Sequence, residues 1–250
     1  MSSPPPALVL LHGFLGHADS WQTLRTRWPE KLHVLCPCLP GHDPRQPFRE
    51  GDDFTRIAAR MAAELACEAP FVLAGYSMGA RVALAIALDH PQLISQLVLI
   101  GVNPGLASAV ARLERQRTEE EWIRTIDRCS LATFCELFGA LPVFATQRAL
   151  PAAARATQER IRRSHDPRGI IEAIRRLGLG AMPDYTPRLG SLKMPVDLIV
   201  GEHDTKFRAL AEEMLVRLAC GRLSVVPSAG HNPLLERPAE LAAQLEETLR

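Results

Sequence analysis

Ser77 stands in the run Gly75-Tyr76-Ser77-Met78-Gly79, with glycine two residues before it and two after. Small residues at those two places allow a sharp strand-to-helix turn that lifts a serine hydroxyl clear of the backbone. Such a hydroxyl needs a base. Two later runs supply candidates, Gly201-Glu202-His203-Asp204 and Ala229-Gly230-His231-Asn232. His231 is the expected base for Ser77, and Asp204 the group that fixes the imidazole tautomer and stabilises its charged form. Glu202 and His203 are rivals for the acid position and are read as solvated loop residues, because Asp204 sits where the loop has cleared the preceding apolar run. A developing oxyanion would take two backbone amides. Met78, directly after the serine, is one, and Phe14 in His12-Gly13-Phe14-Leu15-Gly16 is the other. His12 is expected to be a structural hydrogen-bonding residue beside that turn.

The elements that must hold these groups are legible from periodicity. Ala7–Leu11 is a continuous apolar run and reads as a strand buried on both faces, Phe71–Ala74, Leu97–Val102, Pro195–Val200 and Leu223–Val226 read as further strands, and His33–Cys36 is another candidate. Helical patterns run over Phe54–Cys67, Met78–Leu88, Lys206–Leu218 and Pro238–Leu249. Strands alternating with helices imply right-handed βαβ units and a mostly parallel sheet flanked by helices. The chain order serine, acid, histidine then selects the α/β-hydrolase fold over the two serine protease folds. From Leu106 to about Leu189 the alternation stops. Only helical segments divided by prolines are expected there, so 106–189 reads as a helical cap inserted between the fourth and fifth strands of a core formed by 1–105 and 190–250.

Composition narrows the function classes. Hydrophobic residues make up 47% of the 250 positions and charged residues 23%, which suits a globular chain with a real core. A formal net charge of +1 gives no field to attract nucleic acid or an anionic membrane. No apolar stretch is long enough to span a bilayer. Lys31, Lys193 and Lys206 are the only lysines, so arginine carries the positive charge. Most arginines of the inserted stretch, Arg112, Arg155 and Arg175 among them, are expected on solvated faces. Cys36-Pro37-Cys38 has no second ligand pair at zinc spacing, and the scattered cysteines are expected to be small buried residues of a reducing compartment. His17, His33, His42, His90 and His165 are expected at the surface or in turns. No metal-ligand set is apparent. Met1–Pro6 lacks a basic segment, so no signal peptide is expected and a cytoplasmic enzyme is the default.

Beyond these motifs the chain resembles one family over nearly its whole length, the 2-succinyl-6-hydroxy-2,4-cyclohexadiene-1-carboxylate synthases (MenH) of menaquinone biosynthesis. The resemblance is carried by Gly75-Tyr76-Ser77-Met78-Gly79-Ala80-Arg81, Asn103-Pro104-Gly105-Leu106, Glu114-Arg115-Gln116-Arg117 with Trp122, Pro142-Val143-Phe144, and Gly201-Glu202-His203-Asp204-Thr205-Lys206-Phe207. It implies a lyase without a cofactor that eliminates pyruvate from a small tricarboxylate, with Ser77 as base rather than nucleophile. It implies substrate contacts by Tyr76, Arg81, Arg115 and Arg163. Phe138 stands where the family has tryptophan, leaving apolar contact and no indole hydrogen bond. With six residues ahead of Ala7, the two leading strands of larger relatives are expected to be absent. A monomer or weak homo-oligomer is expected.

The residues themselves leave other readings open. A carboxylesterase or thioesterase would use Ser77 as an acyl nucleophile, and a cofactor-free C–C bond hydrolase would use the same three groups. A non-catalytic binding protein on this fold would have no reason to keep serine, acid and histidine together.

Overall fold

Leu8–Leu11 is buried at every position, as a strand covered on both faces must be. It forms β1 of a six-stranded sheet in the structure, a computed structural model that describes residues 6–248. The other strands are β2 (Val34–Leu35), β3 (Phe71–Tyr76), β4 (Ile94–Ile100), β5 (Val196–Gly201) and β6 (Gly221–Val226). All pairings are parallel, in the order β2-β1-β3-β4-β5-β6. Helices α1 (Gln22–Arg25), α2 (Phe54–Leu65) and α3 (Met78–Asp89) belong to the first half of the core. Helices α4 (Ala109–Arg128), α5 (Leu131–Gly139), α6 (Ala152–Arg163) and α7 (Pro167–Leu177) lie between β4 and β5. Helices α8 (Thr205–Leu215), α9 (Pro233–Glu236) and α10 (Pro238–Glu247) close the chain.

Side chains alternate across the sheet with the period of two that extended backbone imposes. Val9, Leu11, Leu73, Leu99 and Leu198 pack with α2, α3 and α8 on one face. Leu8, Leu10, Ala74, Val98 and Ile199 pack with Trp21, Trp28 and α10 on the other. Helix α3 is buried all round, from Met78 to Leu88. Ala80, Ala83, Ala85 and Ala87 keep it slim enough to lie between the sheet and its neighbours, and Arg81 is the one charged residue drawn in with it.

Boundaries move where polar residues disguise a strand. The fourth strand begins at Ile94, before Ser95 and Gln96, which the apolar reading from Leu97 leaves out. Gln96 has a strand position because its side chain donates to the buried Asp197 carboxylate of β5 at 2.6 Å. The strand ends at Ile100 because Gly101 turns to φ +58°. The second strand shrinks to two residues, and α8 stops at Leu215. The closing helix is described to Glu247, and Leu249 lies outside the described residues, as do Met1 to Pro5.

The stretch between β4 and β5 is helical among the described residues. Ser108, Ser130 and Asp166 cap α4, α5 and α7 by accepting backbone amides. Each such cap is worth about 1 kcal/mol. These helices enclose a core of their own, with Ile123, Ile126, Phe134, Ile170 and Ile174, and Leu15 enters it from the loop after β1. Arg112, read as solvated, instead donates to the carbonyls of Leu106 and Met182 at 2.8 and 2.5 Å. It ties together the two strands of chain that lead into and out of the helical stretch. Arg155 and Arg175 are exposed, as expected.

Gly79 lies on the first turn of α3, where a Cβ would run into the carbonyl of Leu11 in β1. Backbone cannot yield as a flexible side chain does. Gly79→Ala is therefore expected to lower unfolding stability by about 2–3 kcal/mol, read as a reduced urea midpoint at unchanged m-value.

Candidate active site

Ser77 sits between β3 and α3 at φ +51° and ψ −108°, far from the region an L-residue prefers. Its amide donates to Ile100 O at 2.8 Å, and its carbonyl accepts the Arg81 amide at 3.1 Å. The turn leaves no space beside it. A Cβ at Gly75 would meet the backbone of Gly79, and one at Gly13 would meet the Tyr76 ring at 2.8 Å.

His231 and Asp204 are brought to this serine from two different loops, after β6 and β5. His231 Nδ1 is 2.7 Å from Asp204 Oδ2, and Nε2 is 3.3 Å from Ser77 Oγ. An acid on Nδ1 puts the proton there and leaves Nε2 free to accept from the serine. Both residues are buried. Gly101, at φ +58°, makes room for the ring: a Cβ there would lie 2.9 Å from His231 Cε1. Phe207 covers the imidazole with a centroid distance of 4.2 Å. Glu202 and His203 are exposed, and Glu202 accepts the Ser228 amide, so the acid on His231 is Asp204 and neither of these.

One residue of this arrangement escapes sequence reasoning. Glu236 is 5% exposed and accepts the amides of Gly230 and Asn232 at 2.6 and 3.1 Å, gripping the chain on both sides of His231. Its only sequence signal is an acid one turn after a histidine and a proline, which is weak.

Met78 and Phe14 border the serine in a cavity of about 440 Å³. Met78 is the first residue of α3, so its amide has no helical carbonyl to bond and points outward with the positive end of the helix dipole. A second chamber of about 110 Å³ opens on the other side of Ser77 and shares Phe14, Phe138 and Phe144 with the first.

Cations surround the serine. Arg81 is 7% exposed, lines the larger cavity, and its Nη1 has no partner among the described residues. Burial, and then the nearby Arg115, push its pKa down to about 9, which leaves it charged at neutral pH. Arg115 also faces this cavity. Its Nε bonds Glu119 at 2.7 Å and its guanidinium lies over Trp122 at 4.6 Å. Glu119 is itself buried and also accepts the amides of Leu179 and Gly180, so Arg115 hangs from a fixed anchor. Lys206, on the first turn of α8, completes this wall.

Arg163 is not part of the site. It is exposed and paired with Glu159 and with Glu136, at 2.8 Å in the second case. The neighbouring Arg162 occupies the place expected of it. A step of one residue turns a helix by about 100°, and this carries the Arg162 guanidinium inward over Phe144 and Phe138 at 5.3 and 5.9 Å. Arg162 is buried and lines the smaller chamber with Tyr76, whose phenol is raised well above its usual pKa by burial. Phe138 lines both chambers and packs against Phe14, Trp122 and Phe144.

Histidines and cysteines depart in part from their sequence reading as well. His42 and His165 lie in turns, one of the two places expected, but are buried there, while Cys67, Cys129 and Cys220 are exposed rather than buried. His12 is buried and structural as expected, donating from Nδ1 to Gly13 O and accepting the Leu39 amide at Nε2. Donor atoms of His17, Cys38 and Asp43 lie within 4.8 Å of one another, a grouping from two loops that spacing does not reveal. Asp43 is already held by Arg45, with an Nη2–Oδ2 distance of 2.7 Å, and burial raises the Cys38 thiol. That favours a hydrogen-bonded corner over a cation site.

The comparisons with known proteins agree with this geometry. The model of the α/β hydrolase family matches residues 8–244. A protein of Bacillus subtilis (strain 168) named as a putative 2-succinyl-6-hydroxy-2,4-cyclohexadiene-1-carboxylate synthase is 31% identical over 235 residues, covering 93% of this chain and 86% of that protein. The synthase of Salmonella heidelberg (strain SL476) is 32% identical over 249 residues, covering 98% of this chain and 94% of the other. The chain belongs to this synthase family of α/β hydrolases. The solved MenH structure from S. aureus superposes with a TM-score of 0.94 at 28% identity, over 99% of this chain and 94% of that one. Membership of the synthase family makes the chain an enzyme of the lyase class on a hydrolase fold. Among the described residues no helix is long and apolar enough to cross a membrane.

Burial holds His12 neutral, with its pKa lowered from 6.5 to about 3. Between those values the unfolded chain binds a proton that the folded chain does not, so stability falls as pH drops from 6.5 toward 3. The urea midpoint is expected to be lower at about pH 5 than at about pH 7.5. His12→Asn should start less stable and lose less over the same interval. A wild-type midpoint that does not move over that interval contradicts this.

Proposed function

We propose that the enzyme eliminates pyruvate from 2-succinyl-5-enolpyruvyl-6-hydroxy-3-cyclohexene-1-carboxylate, giving 2-succinyl-6-hydroxy-2,4-cyclohexadiene-1-carboxylate. The observation that carries this reading is the set of buried cations around Ser77 without full protein counter-charge: Arg81 with its orphaned Nη1, and Arg162 across the serine from it. Burying a guanidinium without a partner is costly. A polyanionic substrate supplies the missing charge, whereas a neutral ester would leave it unmet.

In this reading Ser77 is the base. His231 draws the hydroxyl proton while Asp204 stabilises the imidazolium, and the serine oxygen takes the proton α to the succinyl ketone. Negative charge builds on the ketone oxygen, where the amides of Met78 and Phe14 receive it. The electron pair then moves through the ring double bond and breaks the C–O bond to the enolpyruvyl group. Enolpyruvate leaves and gains a proton to become pyruvate, and the ring keeps two conjugated double bonds. The ketone acidifies the reacting C–H, so the steps need no cofactor or metal.

Arg81 and Arg115 in the larger cavity, and Arg162 with Tyr76 in the smaller one, are assigned to the carboxylates, since a guanidinium fork matches a carboxylate bidentately. Phe138 gives apolar contact. The 106–189 stretch acts as a cap on the core, because Arg115, Phe138 and Arg162 all come from it. The exposed thiols of Cys67, Cys129 and Cys220 support a reducing, cytoplasmic setting.

Supplying the tricarboxylate and following pyruvate together with the diene chromophore tests the assignment. Ser77→Ala is expected to lower kcat by at least about 10³-fold. Arg81→Ala and Arg162→Ala should each lower kcat/KM by about 10²-fold, while Arg163→Ala stays within about twofold of wild type. Rapid turnover of simple esters with no diene formed would replace this reading by an esterase.

A further inference from the structure

His42 is fully enclosed, yet none of the steps above uses it. Its two ring nitrogens have different partners. Nδ1 faces Pro40 O at 3.2 Å and donates to it, since proline's carbonyl is only an acceptor. Nε2 is then a lone pair, and it accepts the amide of Leu15 at 3.2 Å. Leu15 follows Phe14, the residue assigned to the oxyanion hole, and holds φ +56°, a left-handed conformation that a branched side chain takes only when held. The His42 ring also stands edge-on to the Phe14 ring, 5.9 Å between centroids at 88°.

We propose that His42 is a positioning residue for the oxyanion hole. Its neutral imidazole keeps Leu15 in the left-handed conformation and thereby aims the Phe14 amide at the site of the developing oxyanion. This rests on the reading of Phe14 as an oxyanion donor.

The surroundings of His42 fix it in turn. His12 packs against it at 5.0 Å and accepts the Leu39 amide, so two imidazoles stitch the 12–16 loop to the 39–42 loop. His165, between α6 and α7, donates from Nδ1 to the His42 carbonyl at 3.2 Å and stacks edge-on to its ring at 5.3 Å. Gly41, at φ +80°, touches Gly169 of α7 backbone to backbone, and a Cβ on either would collide with the other. The loop that carries His42 is thus clamped to the inserted helices, and the position of those helices is passed to the oxyanion hole. The titratable groups facing His42 are His12 and His165, with His17 and Asp43 at the edge of the cluster. Burial keeps His12, His42 and His165 neutral. A proton on His42 Nε2 would set one donor against another at the Leu15 amide.

His42→Phe keeps the ring and removes the acceptor. His42→Gln offers a carbonyl oxygen at a similar reach. The expected result for His42→Phe is a kcat lowered by about 10–100-fold, with KM for the tricarboxylate changed by less than about threefold, because one misplaced oxyanion donor costs that much. His42→Gln should recover most of the rate. Urea midpoints of both variants separate this from simple unfolding. Equal kcat per folded molecule in His42→Phe and wild type overturns the proposal, whatever happens to stability. Should His42→Phe not fold, His165→Leu and His165→Asn provide the second pair. A several-fold loss of kcat in the first and recovery in the second, whose amide replaces the Nδ1 donor, is expected, and no difference between them overturns the proposal. A wild-type enzyme that does not eliminate pyruvate would instead refute the assigned reaction. The same variants assayed on p-nitrophenyl acetate then test His42 separately, since acyl transfer draws on the same two amides.

Discussion

The turn between β3 and α3 holds Ser77 at φ +51° and ψ −108°, a backbone strain of order 1–3 kcal/mol that persists only where neighbours over-determine it. Those neighbours are identifiable. The Ser77 amide is bonded to β4, its carbonyl to Arg81, and Gly79 brings the first turn of α3 against the carbonyl of Leu11 in β1. Three adjacent strands therefore meet at one serine. The parallel order of the sheet matters for the same reason: β3 lies between β1 and β4, so the loops after all three strands open at the same edge. The loop after β1 presents Phe14, the turn after β3 presents Ser77 and Met78, and Gly101 after β4 leaves space for His231. Fixing this turn fixes the relative placement of Ser77, Met78, Phe14 and His231.

A second constraint is electrostatic. Arg81 is buried on α3 with an orphaned Nη1, and Arg115 approaches it from the inserted helices closely enough to lower its pKa. The two repel, and Glu119, the acid that faces both among the described residues, already accepts Arg115 and two backbone amides. A site arranged in this way is least comfortable when empty of anions. It also divides the labour between the two parts of the chain, because the core supplies Ser77, His231, Asp204 and Arg81 while the inserted helices supply Arg115, Phe138 and Arg162.

Much of this is visible in the sequence where one local pattern decides the outcome. The apolar runs at Ala7–Leu11 and Phe71–Ala74 mark the strands Leu8–Leu11 and Phe71–Tyr76 because no surface position could carry them. The glycines around Ser77 and the order of serine, acid and histidine are equally direct. What sequence misses depends on contacts between distant segments. Arg162 and Arg163 are chemically alike, and only the packing of α6 on the aromatic cluster decides which turns inward. Ser95 and Gln96 interrupt an apolar pattern, yet Gln96 is held in β4 by Asp197, 101 residues away. His42 looks like a turn residue because it is one. Its burial comes from α7 and His165, which arrive more than a hundred residues later. Glu236 is hidden for the opposite reason, since its partners are so local that nothing marks it out from an ordinary helical acid.

On the proposed function, Ser77, His231 and Asp204 serve an elimination with the same three groups that hydrolysis would use, so the distinction lies in what is held opposite the serine. His231 is held by Asp204 at 2.7 Å, by Phe207 over its face and by Glu236 on the flanking backbone. The serine contact is looser, at 3.3 Å, and the hydroxyl can rotate about a fixed Cβ. A nucleophile needs a carbonyl carbon above that oxygen, whereas a base needs a C–H. Under the proposed function, which of the two arrives there is set by where the carboxylates are anchored, and the arginines available for that are Arg81 and Arg115 beside one cavity and Arg162 beside the other. On the proposed function, selection of the reaction is thus a matter of charge placement around Ser77, His231 and Asp204.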